Sequence, residues 1–310
     1  MNKENSPVIK IIGVGGAGGN IVQRMYNEGI KNVTFLVCGT DKHALIKSAI
    51  PDKLLLGNAI ISCFSSRYVE EAAIQQTNEI KNMLDDGTKM VFIVAGMGGR
   101  TGAGAAPVIA DIAKEMGIVT VLIVTIPFLF EGKQKILQAI NDLEEMSKNV
   151  DAYIVLNNES IVDLYEELML PEVFAKSDEI LTSAVKSFSD IISLQGAINL
   201  DYVDLETMLK NSGVAVINSG LGRGDNRTSQ AISIALQSPL LYNIDIFKAK
   251  KLLFQFSFGS LKPMMTKELI EFQEFMANFS PDIEVIWGTS LDERLEDQIK
   301  IIILASGLGK

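Results

Sequence analysis

The 310-residue chain carries 28 Lys and Arg against 38 Asp and Glu, a formal net charge of −10, and 47% of it is hydrophobic. That length suggests about two domains of roughly 100 to 200 residues each, with ample material for packed cores and no likeness to a disordered polymer. An acidic balance excludes a general nucleic-acid binder, which needs a basic footprint, so any phosphate must be held locally and no nucleic-acid partner is expected.

In chain order, the first half alternates short apolar runs with longer helical patterns. Val8–Val14 precedes a helix over Asn20–Glu28; Val33–Cys38 precedes one over Ser66–Leu84; Met90–Ala95 precedes Ala105–Met116; Val119–Ile126 precedes Gln134–Lys148; and Ala152–Leu156 follows. Strands that read as near-continuous Val, Ile and Leu are buried on both faces, the pattern of a parallel sheet covered by helices. The expected fold class is therefore α/β, a doubly wound parallel-sheet domain. A long central helix is expected at about 172–195. Beyond it, strands at Gly213–Ser219, Lys251–Phe258, Ile283–Trp287 and Gln298–Ala305, with helices near Ser229–Leu236 and Thr266–Asn278, predict a second, smaller α/β or α+β domain from about 205.

The longest apolar stretch, Ile118–Phe130, is 13 residues, short of the roughly 18 to 20 that span a bilayer, so no direct membrane insertion is expected. The N-terminal residues run into the first strand without a signal-peptide pattern, which points to a cytoplasmic protein. Cys38 and Cys63 are too few for a disulfide framework or a four-cysteine zinc site and read as reduced packing residues. His43, the one histidine, excludes a two-histidine metal site, and no resident metal site is expected from the residues.

Two glycine clusters carry the chemistry. Gly13-Val14-Gly15-Gly16-Ala17-Gly18-Gly19-Asn20 follows the first strand and opens a helix, where backbone N–H groups can approach an anion. It contains G-x-G-x-x-G, with Asp41 lying 23 residues past Gly18, so a dinucleotide site and a purely structural strand-to-helix turn both stand as readings of this cluster alone. Gly96-Met97-Gly98-Gly99-Arg100-Thr101-Gly102-Ala103-Gly104 follows the Met90–Ala95 strand. A dinucleotide fold has no use for a second glycine nest, whereas two such loops at one sheet edge suit a nucleotide di- or triphosphate, with Thr101 as a hydroxyl donor.

At these residues the chain resembles the tubulin/FtsZ superfamily of GTPases, in particular the FtsZ family of bacterial cell division. Gly98-Gly99-Arg100-Thr101-Gly102-Ala103-Gly104 fills the signature G-G-G-T-G-[ST]-G with two departures, Arg100 and Ala103. Further matches follow in order: Thr40-Asp41 with Ala44-Leu45, Pro127-Phe128-x-Phe130-Glu131-Gly132-Lys133, Asn199-x-Asp201-Tyr202-x-Asp204, Ser238-Pro239-Leu240-Leu241 and Gly288-Thr289-Ser290. The resemblance covers about Val8 to Gly309.

The resemblance implies a GTP/GDP site in which Gly15, Gly16, Ala17, Gly19 and Asn20, together with Gly98, Gly99, Arg100, Thr101, Gly102, Ala103 and Gly104, hold the phosphates. Glu131, Lys135 and Asn158 would attend the sugar, and Asp178 would read guanine by accepting its N1–H and N2–H, donors that adenine lacks on that edge. Phe174, one turn before Asp178, stacks on the base or is a core aromatic. Asp201 and Asp204 read locally as a cap or solvated turn, Asp204 capping a helix over Leu205–Leu209. By resemblance they are carboxylates that enter the next subunit's pocket, polarise the attacking water and help hold Mg²⁺. Hydrolysis then needs a head-to-tail homopolymer, an open heterologous assembly.

Departures leave a second reading open, a slow or non-catalytic GTP/GDP binder that co-assembles with a catalytic relative. The third loop, Asn58–Ser66, lacks glycine; Arg100 either strains a left-handed position or clamps phosphate; and Gly39 stands where the family has asparagine. The family's flexible tail, which docks on division-protein adaptors, has no counterpart before Lys310, so either the chain is trimmed or it reaches partners differently.

Overall fold

Five of the apolar runs, joined by a short strand at Asp52–Leu55, pair as parallel strands in the computed structural model, which describes residues 8–57 and 65–309. The chain divides into two compact units, Met1–Thr182 and Ser183–Lys310. In the first, β1 (Ile9–Val14) leads into α1 (Gly15–Asn27), β2 (Val33–Gly39) into α2 (Lys42–Lys47), and β3 (Asp52–Leu55) precedes α3 (Ser66–Gln75) and α4 (Thr77–Leu84). Then come β4 (Met90–Gly96), α5 (Arg100–Glu115), β5 (Val119–Ile126), α6 (Lys133–Met146), β6 (Ala152–Asn157) and α7 (Glu159–Leu164). A 24-residue helix, α8 (Leu170–Ser193), crosses the division between the units.

The strand order in the first unit is β3-β2-β1-β4-β5-β6, and every pairing is parallel. Every residue of β1 and β5 is buried, as strands covered on both faces must be. Each such Val, Ile or Leu removed from water contributes roughly 1.5–3 kcal/mol before conformational entropy is subtracted. In register, Ile9 faces Val33 of β2 on one side and Met90 of β4 on the other. The chain winds outward from β1 through β2 to β3, then returns to β4 and winds the other way. The strand ends after β1 and β4 therefore face a topological switch point, the crevice where open α/β sheets bind ligands.

Several helix boundaries differ from the sequence reading. The Ser66–Leu84 pattern is two helices, α3 and α4, broken at Gln76, whose side-chain amide donates to the Leu55 carbonyl at 3.0 Å. Helix α5 begins at Arg100, five residues before the expected Ala105, because its glycines serve close packing: a Cβ on Gly104 would lie 2.3 Å from the Ser66 carbonyl oxygen of α3. The helix after the central one begins at Tyr202 and is capped by Asp201 in place of Asp204. Helix α8 starts and ends two residues before the expected 172–195.

The second unit continues with α9 (Tyr202–Leu209), β7 (Gly213–Gly222), α10 (Arg227–Leu236), β8 (Lys251–Phe258), α11 (Thr266–Met276), β9 (Glu284–Leu291) and β10 (Ile299–Leu308). Its strands run in the order β7-β10-β8-β9, with β10 antiparallel to β7 and β8, and β8 parallel to β9. Phe254 and Phe256 of β8 meet Phe272 of α11 edge to face, with ring centroids 4.8 and 5.0 Å apart, in a core shared with Ile301 and Ile303. Arg227 is fully buried and pairs with Glu268, also donating to the carbonyls of Pro263 and Asp297. Burial pushes Glu268 up, but the Arg227 hydrogen bonds, the Met265 N–H and the Arg227 charge outweigh it and hold the carboxyl below its ordinary value.

No helix among the described residues is long and apolar enough to cross a membrane.

Candidate nucleotide site

The first glycine cluster divides its labour. Gly18 is a packing glycine: a Cβ there would lie 2.1 Å from the Val94 carbonyl oxygen of β4, so α1 rests directly on the strand backbone. Gly13 likewise has no room, its Cβ position being 2.8 Å from the Gly18 carbonyl oxygen. Gly15 supplies conformation, entering α1 at φ +73°, in the left-handed region. Positions Gly16 and Gly19 face open space.

The second cluster meets the first. The Cβ position of Gly15 lies 3.1 Å from the Thr101 Cβ, and the hydroxyls of Thr101 and Thr40 are 3.4 Å apart. Neither α1 nor α5 has a side-chain cap or an acidic residue in its first turn. Two uncapped helix N-termini thus converge at the switch point, each presenting unpaired N–H groups and the positive end of its dipole. Beside them, between α1 and the segment that follows β2, opens a cavity of about 650 Å³, to which α5 contributes Thr101. Its phosphate-loop end is lined by Gly15, Gly16, Gly19, Asn20, Thr40, Asp41 and Thr101. Such a site binds an anion without a basic surface.

Ala103 donates its N–H to the Gly99 carbonyl at 3.1 Å and so does not offer it to an anion, and Gly104 packs against α3. Gly102 packs on β4, its Cβ position 2.9 Å from the Gly96 carbonyl oxygen, and Ala17 sits within 2.7 Å of the Cβ position of Gly96. Gly99 caps α5 in extended conformation, and Arg100 is its first helical residue. Left-handed backbone occurs at Gly98 (φ +73°) and not at Arg100, which removes the strain reading of that residue. Gly98 abuts α6, its Cβ position 2.7 Å from the Lys135 carbonyl oxygen.

The remaining predicted residues gather on the α6–α8 side of the unit. Glu131 accepts from the Phe128 N–H and pairs with Lys135. Buried Asn158 accepts from the Ser177 hydroxyl at 2.9 Å through its side-chain carbonyl. Phe174 is 45% exposed and packs edge-on to Phe128 at 5.0 Å, so it is not a core aromatic. Burial pushes Asp178 up to about 6, against the pull of the nearby Arg24 charge. Arg24 also donates to the Ala175 carbonyl at 2.9 Å, which holds α1 to the start of α8.

Asp201 and Asp204 belong to the second unit and form a reciprocal capping box. Asp201 accepts from Val203 and Asp204 N–H, and Asp204 accepts from the Asp201 N–H at 2.8 Å. The Asn58–Phe64 part of the third loop, with Cys63, lies outside the described residues. Cys38 is a buried free thiol pushed up to about 12 by burial, and His43 is exposed.

Residues 8–166 match the family model described as Tubulin/FtsZ family, GTPase domain, and residues 213–309 match FtsZ family, C-terminal domain. The chain belongs to the tubulin/FtsZ family. As a family member it is a GTP-binding, tubulin-like GTPase, and the cavity lies within its GTPase domain. The FtsZ-family chain is 48% identical over 305 residues to the cell division protein FtsZ of Porphyromonas gingivalis, covering 97% of this chain and 67% of that protein. It is 37% identical over 310 residues to FtsZ of Wigglesworthia glossinidia brevipalpis, covering 97% and 79%. The solved FtsZ dimer of M. jannaschii matches with a TM-score of 0.84 and 33% identity, over 96% of this chain and 88% of that one.

Sequence reasoning about this FtsZ-family site missed Gln23, Asn27 and Lys47, which line the cavity away from the glycines. A signal was present for Thr40 and Asp41: they follow β2, which neighbours β1, so they emerge at the same sheet edge as the first glycine loop.

Proposed function

We propose that the chain binds GTP and GDP with the phosphates between the N-termini of α1 and α5, and that it self-assembles head to tail in bacterial cell division. The observation that carries the phosphate site is the meeting of Gly15 and Thr101. Backbone N–H groups at Gly15, Gly16 and Thr101 would take the phosphate oxygens, Asp178 the guanine edge, and Glu131 with Asn158 the ribose. An ionised Asp178 accepts two hydrogen bonds from guanine and none from the matching edge of adenine, which accounts for base choice.

In hydrolysis, a water oxygen bonds to the γ-phosphorus as the bond to the β-phosphate bridging oxygen breaks, giving GDP and phosphate. Positioning and charge stabilisation account for most of such catalysis. Asp201 and Asp204 of the next copy would orient that water and accept its proton, so turnover would require assembly. Magnesium fits the donor set: carried in on the phosphates, it needs only one or two protein groups, and Asp41 and Thr40 stand on the cavity wall. It would neutralise charge on the phosphates. Adaptor partners and a cytoplasmic location are consistent with this reading.

The test is GTP turnover against protein concentration. Activity per chain that rises steeply with concentration, and is lost in Asp204→Ala while GDP binding persists, supports hydrolysis across subunits. Turnover independent of concentration, or tight ATP binding with no guanine preference, would sink the reading.

A further inference from the structure

Arg24 lies on α1 eight residues past Gly16, about 12 Å along the axis, which is the scale of a nucleoside diphosphate. The first glycine loop stands at one end of that span. At the other end the guanidinium is fixed from two sides: its Nε donates to the Glu28 carboxylate at 3.1 Å, one turn further along α1, and its Nη1 donates to the Ala175 carbonyl of α8 at 2.9 Å. A guanidinium holds its donors in one rigid plane, so the bond to Glu28 aims Nη1 across at α8. Both side chains of that pair are partly exposed, so it adds little stability and what it sets is direction.

Ala175 comes one turn before Asp178 on the same face of α8. The contact therefore fastens to α1 the turn of α8 that carries the half-buried Asp178 carboxyl and the exposed Phe174. The Ser177 hydroxyl, bonded to buried Asn158, fixes the same turn from the end of β6. Charge follows this geometry. Burial pushes Asp178 up to about 6, and the Arg24 cation on α1 opposes it. The other charged groups around this turn have partners: Glu28 pairs with Arg24, Lys176 with Glu179 on α8 itself, and Glu159 of α7 accepts from the Leu129 N–H. A protonated Asp178 would lose an acceptor that the guanine edge requires.

We propose that Arg24 is a positioning residue for base choice: by holding the Asp178 turn of α8 to the helix of the first glycine loop, it makes the preference for guanine over adenine depend on α1. The inference rests on the nucleotide site proposed above, in which Asp178 reads the base.

The experiment measures GDP binding to the full chain, below the concentration at which it assembles, and ADP binding by displacement of GDP, from pH 5 to 8, for the unaltered protein, Arg24→Ala, Arg24→Lys and Asp178→Asn. Arg24→Ala should bind GDP about tenfold more weakly at neutral pH, with ADP changed by about twofold or less. With the cation gone, the pH at which GDP affinity falls should move from about 6 up to about 7. Arg24→Lys keeps the charge and loses the fork, so it should lose part of the GDP affinity and keep the pH step at about 6. Equal losses for GDP and ADP with an unmoved pH step mark a tie between helices alone and overturn the inference, as does unchanged GDP binding. Where ADP displaces too little GDP to measure, the pH step decides; where Arg24→Ala does not fold, Arg24→Lys decides by the same readouts. A guanine preference that Asp178→Asn abolishes and both Arg24 variants keep overturns the inference and leaves the site standing. No guanine preference in the unaltered chain overturns both.

Discussion

The side chain of Thr101 occupies the space beside Gly15, its Cβ 3.1 Å from where a Cβ on that glycine would stand. This contact joins loops that follow two different strands. Gly15→Ala should cost about 1–2 kcal/mol for an L-residue at φ +73°, and it should displace Thr101 as well. GTP affinity should therefore fall by more than the shift in melting temperature accounts for, which calorimetry on the same samples checks.

Neighbouring glycines should respond with opposite signs. Gly18→Ala drives a methyl group into the β4 backbone and should cost at least the upper end of the roughly 1–3 kcal/mol typical of overpacking. Gly19→Ala meets open space inside a helix and should gain about 0.5–1 kcal/mol while weakening nucleotide binding. Thermal melts with and without GDP separate the two effects. A Gly19→Ala variant that binds GDP unchanged would remove that residue from the phosphate site.

These contrasts also mark what the sequence discloses. Strands β1 and β5 are plain in it because burial on both faces makes them almost wholly apolar, with Lys10 in β1 and Thr120 and Thr125 in β5 as the polar residues. The start of α5 is hidden, because Gly102 and Gly104 read as helix breakers and only the nearby backbones of β4 and α3 explain them. Strand β3 is four residues long and begins Asp52-Lys53, so nothing periodic announces it. At the site, the glycine loops and Asp178 are legible as residue types. The lining by Gln23, Asn27 and Lys47 depends on how α1 lies against the segment after β2, which local patterns do not encode.

Asp178 gives a pH signature. Burial raises its folded pKa to about 6, above the unfolded value near 3.9, so its charged form is disfavoured in the fold. The nucleotide-free chain should lose stability as pH rises from about 4 through about 6, with the full penalty present above that window. Asp178→Asn should raise the melting temperature at pH 7.5, with the gain vanishing towards pH 4. Guanine-nucleotide affinity of the unaltered chain should drop as pH falls through about 6, and the Asn variant should bind more weakly and lack that pH step.

Capping and catalysis can be separated at Asp201. Asparagine caps a helix about as well as aspartate, so Asp201→Asn should leave stability within about 0.5 kcal/mol. Its amide accepts a proton far less readily, and GTP turnover should fall about 100-fold or more. Normal turnover in this variant would leave Asp201 a structural cap alone.

In the second unit, Glu268→Gln leaves Arg227 buried with its charge unmatched and should cost about 3–5 kcal/mol. Since the Glu268 carboxyl is held below its ordinary value, its stabilising contribution is present above the unfolded pKa and lost as pH falls through the folded one. Acid titration of unfolding should be flatter in Glu268→Gln than in the unaltered chain.

The strand order β3-β2-β1-β4-β5-β6 sets a schedule for synthesis. The first glycine loop leaves the ribosome with β1, but its partner follows β4, and pairing Ile9 with Met90 closes a long stretch of chain. A nascent chain that has released only the first loop carries half of an anion site. Guanine nucleotide can thus reward only the chain in which β4 has already docked beside β1, so GTP in the cell would act late, holding a finished sheet and giving no help to the search that builds it.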